Sequence, residues 1–158
     1  MEKLRLVIDT NVFIKKFFFE SKYYHCKTLL DVITNNENID LIFTQDTIGE
    51  LFYVAKLMIN INNIKYEDGL IIMNKISKIF YDSIIVNTRD TIAPKCEDMF
   101  DDMFLKCYVE SQADYIITDD FKSGMNKISS IKVLESKDFI QKVVKGQFRE
   151  YGVVLFKH

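Results

Sequence analysis

The sequence predicts an α/β fold, an α/β/α sandwich around a central, mostly parallel sheet of about five strands. Three observations carry this expectation. Short apolar, β-branched runs alternate with longer amphipathic runs, the pattern of strands and helices in a parallel sheet. The 158 residues are 48% hydrophobic and 28% charged, enough for one domain with one sizeable core and unlike a disordered chain. No internal repeat, low-complexity segment or linker interrupts the pattern, and the chain holds a single proline.

The elements follow in order. Leu4-Arg5-Leu6-Val7-Ile8 reads as a short buried strand closed by Asp9. Ser21 to Asn35 reads as a helix, with Tyr23, Cys26, Leu30 and Ile33 along one face. Leu41-Ile42-Phe43-Thr44 is a second strand. Thr47-Ile48-Gly49-Glu50 has the spacing of a capping box, with Thr47 as N-cap and Glu50 in the first helical turn. The helix it opens has Ile48, Leu51, Phe52 and Ala55 at core spacing. Tyr66 to Tyr81 is a further helix, and Ser83-Ile84-Ile85-Val86 a third strand. Asp101 to Gln112 is helical, Asp114 to Thr118 a strand, and Ile131 to Leu134 another. Ser136 caps a last helix through Lys145. Residues 1–146 make up the domain; the tail, 147–158, contains Val153-Val154-Leu155-Phe156 and offers an edge strand or a dimer contact.

Bulk numbers exclude several functions. A net charge of -2 means that any nucleic-acid binding works through a local patch or bound cations. Three cysteines (Cys26, Cys96, Cys107) with no C-x-x-C and only two histidines argue against a disulfide framework and against a zinc site. Reduced thiols suit the cytoplasm. The N-terminus does not read as a signal peptide, and no apolar run is long enough to span a bilayer.

The chemistry lies in carboxylates. Ligands of open parallel sheets bind outside the carboxyl ends of the strands. Asp9 ends the first strand, and Asp119 and Asp120 end the fourth, in Ile116-Ile117-Thr118-Asp119-Asp120. Glu50 sits at the start of the helix after the second strand, and Asp101 and Asp102 at the start of the helix before the fourth. All belong on one rim. Clustered carboxylates repel unless cations lie between them, and hard ions such as Mg²⁺ or Mn²⁺ prefer oxygen ligands. Two such ions about 3.5–4 Å apart can activate a water and stabilise the leaving oxygen in phosphodiester cleavage. Each acid also has a bland role, as turn residue, cap or dipole partner; their convergence is what points to chemistry.

These residues resemble a known family. Leu6-Val7-Ile8-Asp9-Thr10-Asn11-Val12-Phe13 is similar to the opening signature of PIN domains. Thr47-Ile48-Gly49-Glu50-Leu51 resembles their central Glu-bearing helix. Asp101-Asp102-Met103-Phe104-Leu105 and Ala113 to Asp120 resemble their second half, a helix opening on Asp and a strand ending in Thr-x-Asp. The nearest subgroup is the PIN-type ribonuclease toxins of bacterial toxin–antitoxin pairs. The resemblance covers Leu4 to Phe139 and implies Mg²⁺- or Mn²⁺-dependent RNA cleavage.

It carries the metal-binding, catalytic carboxylates to Asp9, Glu50, Asp102 and Asp120, with Asn11 orienting Asp9 and Thr118 positioning the last Asp or its water. Two choices stay open within adjacent pairs. Asp102 is preferred to Asp101 for its place before Phe104-Leu105, and Asp120 to Asp119 for the Thr-x-Asp spacing. On this reading Asp102→Asn abolishes activity and Asp101→Asn only weakens it. The chain departs from the family at Lys122, where many relatives have another acid. Lys15, Lys16, Lys122 and Lys127 are candidate phosphate contacts. Three consecutive phenylalanines, Phe17 to Phe19, cannot all face one core, so one is exposed or covered by an antitoxin or a second copy of the chain.

Competing readings are weaker. A phosphatase using Asp9 as nucleophile wants Asp-x-Asp, where this chain has Asp9-Thr10-Asn11. A signalling receiver needs an Asp at the end of the third strand, which here runs into Val86-Asn87-Thr88. A catalytically silent PIN-fold module that binds RNA or protein is the main alternative, and the presence of all the acids speaks against it. No phosphate-binding glycine loop is present.

Overall fold

A computed structural model describes residues 2–155; Phe156 of the expected tail strand lies outside them. The strands are β1 (Leu4–Ile8), β2 (Ile39–Phe43), β3 (Ile84–Ile85), β4 (Tyr115–Ile117) and β5 (Val133–Leu134). They form one sheet in the order β3-β2-β1-β4-β5, and every neighbouring pair is parallel. The helices are α1 (Thr10–Phe18), α2 (Tyr24–Thr34), α3 (Gln45–Ile61), α4 (Tyr66–Tyr81), α5 (Asp102–Ser111) and α6 (Ser136–Val144). The expected α/β sandwich is the observed fold.

Strand alternation decides the layers. Successive side chains of a strand point to opposite faces. Leu4, Leu6 and Ile8 of β1 join Ile39, Leu41 and Phe43 of β2 in one cluster, packed against α1, α2, α3 and α6. Val7, Ile42 and Ile116 face the other way and pack on Phe104, Leu105 and Cys107 of α5. Fully burying one such side chain contributes about 1.5–3 kcal/mol. The ion pairs among the described residues are mostly exposed and contribute about 0–1 kcal/mol each, so burial holds the fold.

Four local expectations are corrected. The cap of α3 is Thr44, not Thr47: Thr44 is extended, its Oγ1 accepts from the Thr47 amide (3.1 Å), and Thr47 Oγ1 accepts from the Thr44 amide (2.8 Å). The helix therefore starts at Gln45, and Glu50 lies in the second turn with no capping role. Ser136 is the first residue of α6, and its hydroxyl donates to Asp119 instead of capping. A short 3-10 turn, Met99–Asp101, precedes α5. Through Leu155 the tail adds no strand; Arg149–Tyr151 form a 3-10 turn while Phe148 and Val153 enter the core, Phe148 stacked on Phe139 at 5.2 Å.

The topology positions the site. From β1 the chain steps to β2 on one side and returns later to β4 on the other. The direction of winding switches at β1, and the crevice at such a switch point is where open α/β sheets bind ligands.

Candidate metal-binding active site

Asp9 follows β1 and stays in the sheet's ladder, its amide donating to the Ile117 carbonyl (2.9 Å). It is the N-cap residue of α1, yet its side chain makes no capping hydrogen bond. The carboxylate instead turns to the β1–β4 crevice, only 5% exposed. There Thr118 Oγ1 donates to Asp9 Oδ2 (2.6 Å), and Asn11 Nδ2 donates to the same oxygen. The Thr118 oxygen in turn accepts from the Asp120 amide (3.1 Å) and from Asn11 Nδ2 (3.2 Å). Asn11 Oδ1 accepts from the Asp119 amide (3.3 Å). The end of β1 and the end of β4 are thus laced together through Asp9.

The Asp9 carboxyl is pushed up to about 7. Burial is the largest cause; the Thr118 hydrogen bond pulls the other way, and the charges of Asp101 and Glu50 add to the rise. Asp101 is pushed up to about 6, by burial first and then, against a pull from Ser123, by Asp98, Glu50 and Asp120. Glu50 is also raised, by burial, with the Thr10 hydroxyl lowering it and Asp98 raising it. Carboxylates from four separate segments are therefore linked by charge, Asp9 with Asp101 and Glu50, and Asp101 in turn with Glu50, Asp98 and Asp120. Among the described residues no lysine or arginine forms an ion pair with any of them.

The two acids of the first pair have different surroundings. Asp102 Oδ1 accepts from the Cys96 amide (2.9 Å) and from Cys96 Sγ (3.4 Å). Its carboxylate closes the loop before α5, beside Pro94 and Lys95. Asp101, one residue earlier and still in the 3-10 turn, is the one whose charge reaches Asp9. Consecutive residues of any helical turn point about 100–120° apart, so the two adjacent acids face different neighbours.

In the second pair, Asp119 Oδ1 accepts from the Ser136 amide (2.8 Å) and hydroxyl (2.6 Å), and its Oδ2 faces Lys15, His25 and Cys26. Burial raises Asp119, but Ser136, Cys26 and Lys15 together hold it below the usual carboxylate range. Asp120 is exposed and its Oδ1 accepts from the Lys122 amide (2.9 Å).

The lysines fare unevenly. Lys15 pairs with Asp119 (3.5 Å) and lies over the Tyr23 ring; Lys16 reaches Glu20 (3.9 Å). Lys127 pairs with Glu97 (3.0 Å), and Lys122 is exposed beside Asp120. Phe17 and Phe18 pack against the core while Phe19, after the helix end, is exposed.

Three residues escaped the sequence reading. Thr10 pulls the Glu50 carboxyl down, and Asp98 adds negative charge that acts on Glu50 and Asp101. Ser123 is buried near Asp101, its hydroxyl without a well-formed hydrogen bond. Thr10 sits inside the quoted Asp9-Thr10-Asn11 signature, a usable signal. Asp98 and Ser123 lie on irregular loops where no periodicity marks them.

Fold and crevice together define an α/β domain with an acidic rim at its switch point. The family model of the PIN domain matches residues 5–122, and the chain belongs to that family. Two solved structures share the fold. VapBC2 from Rickettsia felis, solved bound to a DNA fragment from its promoter, is 12% identical with a TM-score of 0.51, covering 84% of this chain and 98% of that one. PAE2754 from Pyrobaculum aerophilum is 10% identical with a TM-score of 0.52, covering 88% of each chain. No curated protein sequence matches the chain significantly.

Proposed function

We propose that this chain is a metal-dependent endoribonuclease that hydrolyses RNA phosphodiester bonds with Mg²⁺ or Mn²⁺, and that it is the toxin of a toxin–antitoxin pair. The observation that carries the reading is the charge coupling of Asp9, Glu50, Asp101 and Asp120 beside the switch point, with no lysine or arginine among the described residues in an ion pair with any of them.

The residues fit a hard divalent cation. All four donors are carboxylate oxygens, and Mg²⁺ needs only one or two carboxylates when water and phosphate complete its shell. Asp9, Glu50, Asp101 and Asp120 would hold it, with Asp101 taking the place that the family resemblance suggested for Asp102. When bound, the ion supplies Lewis acidity to the phosphodiester and to the attacking water. Thr118 and Asn11 donate to Asp9 and so aim its free lone pairs outward. The Thr10 hydroxyl favours the charged form of Glu50. Asp119 keeps the Asp120 loop in place through Ser136. A cleft lined by Asp46, Arg89 and Lys106 adjoins the start of α3, and its two cations offer a path for the RNA backbone.

The family and the likeness to VapBC2 support an antitoxin partner. The α3–α4 pair exposes Tyr53, Leu57, Ile61, Leu70 and Ile71, apolar surface for an antitoxin or a second copy. Free cysteines favour the cytoplasm, and no helix among the described residues is long and apolar enough to cross a membrane.

The test is RNA cleavage with Mg²⁺ or Mn²⁺ by wild type, Asp9→Asn and Asp120→Asn. Wild type cleaves and both variants lose at least about a hundredfold in rate. A wild type inert on diverse RNAs, or variants as active as wild type, refutes the nuclease reading and leaves a silent binding module.

A further inference from the structure

A second cluster stands behind the carboxylates. His25 and Cys26 lie in the first turn of α2, and Asp119 on the loop after β4. His25 Nε2 is 3.4 Å from Asp119 Oδ2, and Cys26 Sγ is 3.3 Å from the same oxygen. All three donor atoms fall within 4.8 Å of one another. Around a tetrahedral Zn²⁺, bonds of about 2.3 Å to sulfur and about 2.0–2.2 Å to nitrogen and oxygen place donors roughly 3.3–3.6 Å apart. The two measured edges are already of that size.

The cluster is also held in place. Ser136 fixes Asp119 Oδ1 with its amide and its hydroxyl, so Oδ2 is turned toward the thiol and the imidazole. An outer shell of this kind orients metal ligands. Cys26 is fully buried, and the His25 ring packs edge-on against Tyr23. The side of His25, partly exposed, is the way in. At present the Lys15 ammonium, 3.5 Å away, balances Asp119; its side chain is 24% exposed.

We propose that His25, Cys26 and Asp119 form a zinc site, with three protein ligands and water in the fourth position. On binding, Zn²⁺ displaces the Cys26 thiol proton to solvent and takes Asp119 Oδ2 over from Lys15. A thiolate, an imidazole and one carboxylate suit Zn²⁺ and disfavour Mg²⁺ or Mn²⁺. Counting cysteines and histidines argues against such a site, because the third ligand is a carboxylate 93 residues from Cys26. The bound ion ties the first turn of α2 to the end of β4. The site rests on these residues alone and stands or falls apart from the nuclease reading.

The test uses the full chain, stripped with a chelator and titrated with Co²⁺ as a spectroscopic probe. One equivalent gives tetrahedral d–d bands and a thiolate-to-cobalt charge-transfer band, both abolished by Zn²⁺. His25→Ala and Cys26→Ser each remove the charge-transfer band or weaken Co²⁺ binding by at least about tenfold. Partly exposed His25 tolerates truncation, which keeps the test valid if Cys26→Ser unfolds; circular dichroism checks both. Cys96→Ser retains the band. Absence of the band at one equivalent, its survival undiminished in folded His25→Ala, or its loss in Cys96→Ser overturns the site.

Discussion

At the scale of single residues, burial and like charge dominate the crevice. Asp9 titrates near 7 in the folded chain against about 3.9 when unfolded. Below about pH 4 the carboxyl is protonated in both states and costs nothing. Between about pH 4 and 7 only the unfolded chain gives up the proton, so stability falls as pH rises, by on the order of a few kcal/mol in all. Asp101, pushed up to about 6, acts in the same direction. The metal-free protein should therefore melt at lower temperature at pH 7.5 than at pH 5.5, and Asp9→Asn should flatten that slope and raise Tm at pH 7.5. Thermal scans across this range check it, and a Tm that does not move with pH rejects the account. Asp101 and Asp102 separate as cleanly. Asp101→Asn should remove RNA cleavage, whereas Asp102→Ala should leave most of it and cost about 1–3 kcal/mol by leaving the part-buried Cys96 amide without its acceptor. Equal loss of cleavage in both would contradict the assignment of Asp101.

At the scale of elements, short caps decide where the acids stand. The Thr44–Thr47 box fixes the start of α3, so the phase of the helix at Glu50 follows from it. Thr44→Ala should lower unfolding free energy in urea by about 0.5–2 kcal/mol and reduce cleavage through a loosened Glu50. Unchanged stability would show that the box is dispensable. Element types were legible in the sequence because their periods are distinct: the expected Tyr66 to Tyr81 helix is the observed α4. Caps were less legible. Thr44 and Thr47 are both good N-caps, and only the extended backbone at Thr44 selects between them. The 3-10 turn before α5 left no periodic trace, and the preference for Asp102 came from the family resemblance, its place before Phe104-Leu105.

Across the whole molecule, the sheet order brings together what the chain separates. Asp9 and Thr118 are 109 residues apart and meet because β1 and β4 are neighbours. The tail belongs to the same unit in packing terms. Phe148 is buried against Phe139, Tyr115 and Tyr151, and Val153 is fully buried. Phe148→Ala should cost about 3–5 kcal/mol, read by urea denaturation. A loss below about 1 kcal/mol would mean that the tail merely rests on the domain.

The sequence by itself determined the class of fold, the extent of β1 and the acidic pairs, because hydrophobic period and strand-terminal carboxylates are local properties. It also carried the family signature from Leu6 to Phe13. Only the tertiary structure decided which acid of each pair faces which neighbours. Asp102 accepts from Cys96 while the charge of Asp101 acts on Asp9, and Asp119 turns to Ser136, His25 and Cys26. Adjacent residues share every sequence-level property. The direction of a side chain is set by backbone geometry and by partners distant in the chain, and these exist only once the sheet has formed.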